Sequence, residues 1–309
     1  MERPHQSVLL EESVQALAVD PNGTYVDATF GRGGHARAIL ACLGSAGRLI
    51  AIDRDPQALA SAQSLAAVDP RLTAVHGRFG DLTAAVRGAG VTGGVAGILL
   101  DLGVSSPQLD TPERGFSFMS DGPLDMRMDP DQGESVAAWL ARVDQAEIAA
   151  VLHTLGEERF AGRIARAIVA TRVEAPIVTT RQLAELVARV VPNREPGKHP
   201  ATRTFQALRI QINDELGELT RALSQVCHLL AAAGRLVVIS FHSLEDRIVK
   251  RFIRDEARGA QWPKGLPVTA VETRGRLRPF GKPVRPSAAE VTANPRARSA
   301  ILRVAERLA

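Results

Sequence analysis

Four short apolar runs rich in β-branched residues, Tyr25 to Phe30, Arg48 to Asp53, Leu72 to His76 and Val95 to Leu102, alternate with helical segments in the first hundred residues. That rhythm builds βαβ units, and right-handed crossovers turn successive units into a parallel sheet. The intervening segments 34–43, 56–67 and 82–90 have helical composition and end near Gly or Asp-Pro signals.

After Asp101 the pattern changes to a loop over 105–133 dense in Gly, Pro, Met and Asp, followed by helix signals with no strand candidate. The expectation is an inserted helical domain over 112–200, which leaves 1–111 and 201–309 as one discontinuous main domain. Asp144 with Glu147 and Thr179 with Gln182 have capping-box spacing, each ahead of an apolar-periodic segment. Phe205, Leu208, Ile212, Leu216, Leu219, Leu223, Val226 and Leu230 recur every three or four residues, which predicts one long amphipathic helix ending at Gly234. A strand over 235–241 follows, then a helix capped by Ser243 with Asp246 and running to about Glu256. The Pro-, Gly- and Arg-rich stretch 259–295 reads as loop plus one edge strand, and 299–308 as a final strand or a short helix, with strand favoured.

With 309 residues, 45% hydrophobic and 23% charged, the chain has the composition of a folded globular protein rather than a disordered or fibrous one. Cys42 and Cys227 stand far apart without metal-ligand spacing, so neither a disulfide framework nor a metal site is expected, and a reducing cytoplasm fits. The first dozen residues are too acidic for a secretory signal, and no apolar run reaches the length of a membrane span. Net charge is +4, but residues 247–309 hold 15 Lys and Arg against 5 Asp and Glu, so this end carries +10 and the remainder −6. A basic end suits a polyanion partner, and equally a solvated basic surface.

The turn Gly31-Arg32-Gly33-Gly34-His35 lies between the first strand and its helix. There, backbone N–H groups and the positive helix end meet whatever is bound over the carboxyl ends of the strands. Asp53, at the end of the second strand, is placed to accept hydrogen bonds from ribose hydroxyls, and Phe79 and Asp81, after the third, to meet an adenine. Nicotinamide dinucleotides and S-adenosylmethionine both use this geometry. Asp27, four residues before Gly31, and Asp101, at the end of the fourth strand, favour the second: acids attract a sulfonium or ammonium and repel a pyrophosphate.

The segment Asp101-Leu-Gly-Val-Ser-Ser-Pro-Gln108 stands where amino-methyltransferases carry an Asp/Asn/Ser-Pro-Pro-aromatic motif. An exocyclic base amine is a poor nucleophile because its lone pair is delocalised, and acceptors at its N–H bonds help to rehybridise it. Asp101, the Ser106 hydroxyl and the Pro107 carbonyl are the candidate acceptors. The motif's aromatic is missing, so stacking falls to Phe116, Phe118 or another ring. To this point the residues indicate a methyltransferase acting on RNA or DNA.

Six motifs in order along the chain carry a closer resemblance: Thr29-Phe-Gly-Arg-Gly-Gly-His35, Asp101 to Asp110, Arg114-Gly-Phe-Ser-Phe118, Leu124-Asp-Met-Arg-Met-Asp129, Thr202 to Arg209 and Ser240-Phe-His-Ser-Leu-Glu-Asp246. Together they resemble the bacterial ribosomal RNA small-subunit methyltransferase H family. The resemblance implies a Rossmann-like class I methyltransferase fold with a mostly parallel sheet and an inserted all-helical domain. It also implies N4-methylation of one cytidine in the decoding region of small-subunit (16S) ribosomal RNA. Carried over by position, the S-adenosylmethionine contacts are Gly33, Gly34, His35, Asp53, Phe79, Asp101 and Gln108. Candidates for holding RNA or a flipped base are Asp125, Arg203, Arg209, Asn213 and His242. Transfer to an amine needs no Cys nucleophile. The rivals are an NAD(P)-dependent oxidoreductase, with Arg54 taking a 2′-phosphate, and a non-catalytic RNA-binding assembly factor. Monomer and homodimer both remain open.

Overall fold

The structure is a computed structural model that describes residues 7–192, 199–259 and 274–309. Part of the stretch expected to be loop, 260–273, lies outside the described residues. The chain divides into two compact units, one formed by Met1–Gly103 with Leu216–Ala309 and the other by Val104–Glu215.

The first unit is a Rossmann-like α/β fold. Its strands are β1 (Thr24–Asp27), β2 (Arg48–Asp53), β3 (Leu72–His76), β4 (Val95–Asp101), β5 (Leu230–Ser240), β6 (Leu277–Pro279) and β7 (Ile301–Arg307), in the order β3-β2-β1-β4-β5-β7-β6. Strands β1 to β5 pair in parallel, and β7 runs antiparallel to both β5 and β6. Alternate side chains enter opposite cores, as the two-residue period of a strand requires. Val26, Ile50, Ile52, Ile98, Leu100 and Val238 pack with α4 (Leu82–Gly88), α11 (Glu215–Leu229) and α12 (Ser243–Arg258). Tyr25, Leu49, Ala51, Leu99 and Val237 pack on the other face with α1 (Leu10–Leu17), α2 (Gly34–Cys42) and α3 (Pro56–Ala66). Reversal of strand order between β1 and β4 opens the crevice at their carboxyl ends where ligands of such sheets bind.

The second unit is helical. After the one-turn α5 (Ser106–Asp110), it contains α6 (Val136–Arg142), α7 (Gln145–Gly156), α8 (Ala161–Glu174), α9 (Thr180–Val190) and α10 (Thr202–Asn213), packed around Trp139, Ile148, Leu152, Ile164, Leu183 and Leu208. Its span is wider than the expected 112–200 because Phe205, Ala207 and Leu208 of α10 bury their faces in this core. The single long helix expected from the apolar period is therefore two helices. They part at Asp214, whose φ of 49° is left-handed. Nor does α11 run to Gly234: Leu230 already pairs with Val95, and a register shift before Gly97 takes up the residues to Arg235.

Both expected caps in the helical unit are present. Asp144 accepts the Glu147 N–H, while Thr179 and Gln182 bond reciprocally to each other's backbone, with Gln182 Oε1 also accepting the Val178 N–H at 2.8 Å. The cap of α12 lies one residue earlier than expected. His242 is the N-cap and Glu245 closes the box, while Asp246 instead forms a two-pronged ion pair with Arg303 at 2.6 and 2.9 Å. No helix among the described residues is long and apolar enough to cross a membrane. Replacing Thr179 by Ala should remove one half of its capping box and lower stability by about 1 kcal/mol, read as a lower urea midpoint for the helical unit with unchanged slope.

Candidate active site

Two carboxylates, Asp27 fully buried and Asp101 partly exposed, meet at the ends of neighbouring strands. Asp27 closes β1 and Asp101 closes β4, two residues beyond the level of Asp27, which stands opposite Leu99. Asp27 Oδ1 accepts the Thr29 N–H at 3.3 Å, whereas Asp27 Oδ2 and Asp101 Oδ1 are buried with no hydrogen-bond partner. Burial pushes the Asp27 carboxyl up to about 7, against the pull of the Thr29 N–H and with a further push from Asp53. Burial also holds Asp101 well above the usual range, aided by the charges of Asp27 and Glu245.

The surrounding turn is held by backbone bonds to side chains. The Asp101 N–H donates to Thr29 Oγ1 at 2.7 Å, joining the exit of β1 to the end of β4. Asp53 Oδ2 accepts the Gly31 N–H at 2.8 Å and Oδ1 the Asp55 N–H at 2.9 Å, so this acid fixes the Gly-rich turn to the end of β2. Burial raises Asp53, and these two N–H donors oppose it. At Gly33, φ is +74° and a Cβ would stand 2.5 Å from the Phe30 ring. At Gly34 one would meet Ser7 Oγ at 2.0 Å. The N-terminus of α2 has no side-chain cap. Its backbone donors and dipole therefore face the crevice beside the two acids.

His35 is buried, with Nε2 3.2 Å from the Val8 carbonyl oxygen and Nδ1 3.6 Å from Asp101 Oδ2. Val8 can only accept, so Nε2 carries the hydrogen and Nδ1 faces the acid. Phe79 is half-buried at the start of a short 3-10 turn, Phe79–Asp81, on the far side of Asp53. This turn is clamped by α11: Gln225 Nε2 donates to the Gly80 carbonyl at 2.7 Å, and Gln225 Oε1 accepts the Thr83 N–H at 2.8 Å.

Sequence reasoning missed Glu218, which stands at the centre of that clamp. It is fully buried and takes Arg54 Nη1 at 2.9 Å and Arg78 Nη1 at 3.3 Å. Burial raises the Glu218 carboxyl, opposed by the two arginines. Nothing local announces a pair separated by 164 positions. Arg54 had been a candidate for a 2′-phosphate. Turned inward onto Glu218, it does not face a nucleotide phosphate, and the orphaned acids of the crevice suit a cation and repel a pyrophosphate.

The helical unit holds the remaining candidates, and most face inward. Gln108 is buried and its Oε1 accepts the Ser105 N–H at 2.9 Å, in the capping box of α5. Ser106 opens that turn, and the Pro107 carbonyl accepts the Thr111 N–H at 3.0 Å, an intrahelical bond. Asn213, expected to meet RNA, is buried. Its Oδ1 accepts the Met128 N–H at 2.8 Å, and its Nδ2 donates to the carbonyls of Met126 at 2.7 Å and Arg209 at 2.9 Å. It fastens the 126–128 loop to the end of α10, a structural position. Phe116 is likewise interior, and Phe118 packs edge-on against Phe205 at 4.8 Å and beside His199 at 4.6 Å. Asp125 holds Arg127, Arg209 holds Glu215 through two bonds of 2.8 Å, and Arg203 donates to the Glu157 carbonyl at 2.7 Å. In the first unit, His242 is turned to its capping partner Glu245, 3.2 Å away.

Removing Glu218 takes the carboxylate from the buried Arg54 guanidinium. Glu218→Ala should cost about 3–5 kcal/mol in urea unfolding, and the double replacement Arg54→Met/Glu218→Leu should recover most of it.

A family model described as the MraW methylase family matches residues 2–308. The ribosomal RNA small subunit methyltransferase H of Thioalkalivibrio sulfidiphilus (strain HL-EbGR7) is 62% identical over 306 residues, covering 99% of this chain and 98% of that protein. Among solved structures, an rRNA methylase from Streptococcus thermophilus is similar at 12% identity with a TM-score of 0.43, over 100% of this chain and 99% of that one. With the family match running from end to end over an acid-lined crevice in a Rossmann-like sheet, the chain belongs to the MraW methylase family.

Proposed function

We propose that this protein is an S-adenosylmethionine-dependent methyltransferase that methylates N4 of a cytidine in the decoding region of small-subunit ribosomal RNA. The observation that carries the cofactor class is the pair of unpartnered, buried oxygens of Asp27 and Asp101 beside the uncapped end of α2. A cation is the group that such atoms fit. Small-subunit ribosomal RNA as substrate is supported by the name of the 62% identical relative.

The residues that would hold the cofactor are Gly33, Gly34, His35, Asp53, Phe79 and Asp101. Gln108 supports the turn of α5 through Ser105. When bound, S-adenosylmethionine supplies an electrophilic methyl group on a positively charged sulfur. A cation held near Asp27 and Asp101 would pull both carboxyls down, against the burial that raises them. The turn from Gly31 to Gly34 leaves its helix end open, and Asp53 keeps it in place. Asp101, as a carboxylate, accepts an N–H of the cytosine amine and localises the nitrogen lone pair. His35 packs beside Asp101, with Nδ1 3.6 Å from Oδ2. No strong general base is required when the proton leaves after the methyl group arrives. The target base must be turned out of its stack to reach any such pocket. The helical unit serves substrate recognition in this reading, supported by the exposed Arg159, Arg163 and Arg166 at the start of α8 and on its outer face.

Small subunits purified from cells lacking this protein should accept labelled methyl groups from S-adenosylmethionine and yield N4-methylcytidine on nucleoside analysis. A different methylated nucleoside would refute the N4 assignment. Asp101→Ala should lose methyl transfer by about 100-fold or more while retaining binding to the subunit, and full turnover in that variant would contradict the role of this acid.

A further inference from the structure

At the opposite edge of the first unit, a cleft of about 310 Å³ lies between α12 and the β6–β7 pair. Three of its residues, Lys250, Arg254 and Arg258, recur every four positions along α12, which sets them about 6 Å apart along the helix axis. Lys282, in the turn after β6, and Arg303 of β7 add two more cations, and the lining contains no carboxylate. Arg303 is answered by Asp246, and Arg254 by the exposed Asp255 at 2.8 Å. The surplus of positive charge is therefore carried by Lys250 and Lys282 in particular. Phe280 stands in the same cleft, 39% exposed, with the Arg235 guanidinium 3.9 Å from its ring centroid.

Arg235 covers part of the Phe280 ring, and the rest of the ring faces water beside Lys250 and Lys282, whose like charges repel. A strand of nucleic acid meets both needs, with phosphates on the cations and a base on the ring. We propose that this cleft binds a single-stranded segment of the RNA substrate, at a site separate from the methyl-transfer crevice. Three strand spacings, about 14 Å, separate β4 from β6 in the sheet. That distance suits a second contact several nucleotides from the target cytidine. The proposal rests on the RNA reading given under Proposed function and adds to it a contact that anchors the substrate without touching the reacting atoms.

The test uses the full-length protein carrying Lys250→Gln/Lys282→Gln, and separately Phe280→Ala, with unmethylated small subunits as substrate. All three side chains are exposed. S-adenosylhomocysteine affinity should stay at the wild-type value and verify the folded crevice. KM for the subunit should rise about ten-fold in each variant with kcat little changed. The slope of log affinity against log salt should fall by about 1.4 in the double lysine variant, as for two lost contacts to single-stranded phosphates. An unchanged KM and salt slope in variants that retain cofactor binding would overturn the proposal. So would a weakened subunit affinity with an unchanged slope, which would indicate a protein contact instead. Failure of the wild type to methylate any subunit would instead count against the RNA reading itself, and photocrosslinking of Phe280-proximal residues to single-stranded RNA would then decide the cleft independently: no crosslink overturns it.

Discussion

Two carboxylates, Asp27 buried and Asp101 partly exposed, stand at the ends of β1 and β4, and the surrounding structure is arranged to keep them there. Burying an acid without a partner costs free energy, and here each of the two leaves one oxygen unanswered. Burial accordingly raises both carboxyls, Asp27 to about 7 and Asp101 well above the usual range. The chain also holds the backbone rigidly: Thr29 Oγ1 fixes the Asp101 N–H, Asp53 fixes Gly31, and His35 packs beside Asp101 on the Val8 side. Burial raises both acids, and a cation placed beside them would favour their charged forms.

Around that pair, the rest of the first unit acts as a frame. The parallel sheet brings strand ends together at one edge, and the reversal of order between β1 and β4 leaves the gap into which α2 points its open end. On the other side of Asp53, the clamp from α11 fixes the Phe79 turn through Gln225, while Glu218 draws Arg54 and Arg78 inward. A nucleotide site built this way is made of backbone positions held by remote side chains. This explains why the glycines alone are so uninformative: Gly31-x-Gly33-x-x-Ala36 suits a dinucleotide as well, and the choice is made by Asp27, Asp101 and the inward turn of Arg54.

Much of this frame was legible from local pattern. Strands β2 and β3 have the ends expected from their apolar runs, and both caps of the helical unit follow from side chains three residues apart. Contacts between distant residues were not legible. The apolar period from Phe205 to Leu230 continues through the break at Asp214 because α10 and α11 each bury one face, although in different cores. Asn213 and Phe116 carried the residue types of RNA contacts, yet their hydrogen bonds and packing belong to the interior. Glu218 gave no signal because a buried acid inside an amphipathic helix looks like any surface acid until its partner is known. The family resemblance pointed to the region of the acid crevice, and the hydrogen bonds show which of its side chains hold the backbone there.

Asp27 and Asp101, both raised by burial, should give up protons when a cationic cofactor binds beside them. Calorimetric titration of S-adenosylmethionine at pH 6, in two buffers of different ionisation enthalpy, measures this directly. With Asp27 raised to about 7, most of its population carries a proton at that pH. Binding should therefore release on the order of one proton per cofactor, and Asp27→Asn should reduce the release. A binding enthalpy identical in the two buffers would mean that no proton leaves, and would contradict the account.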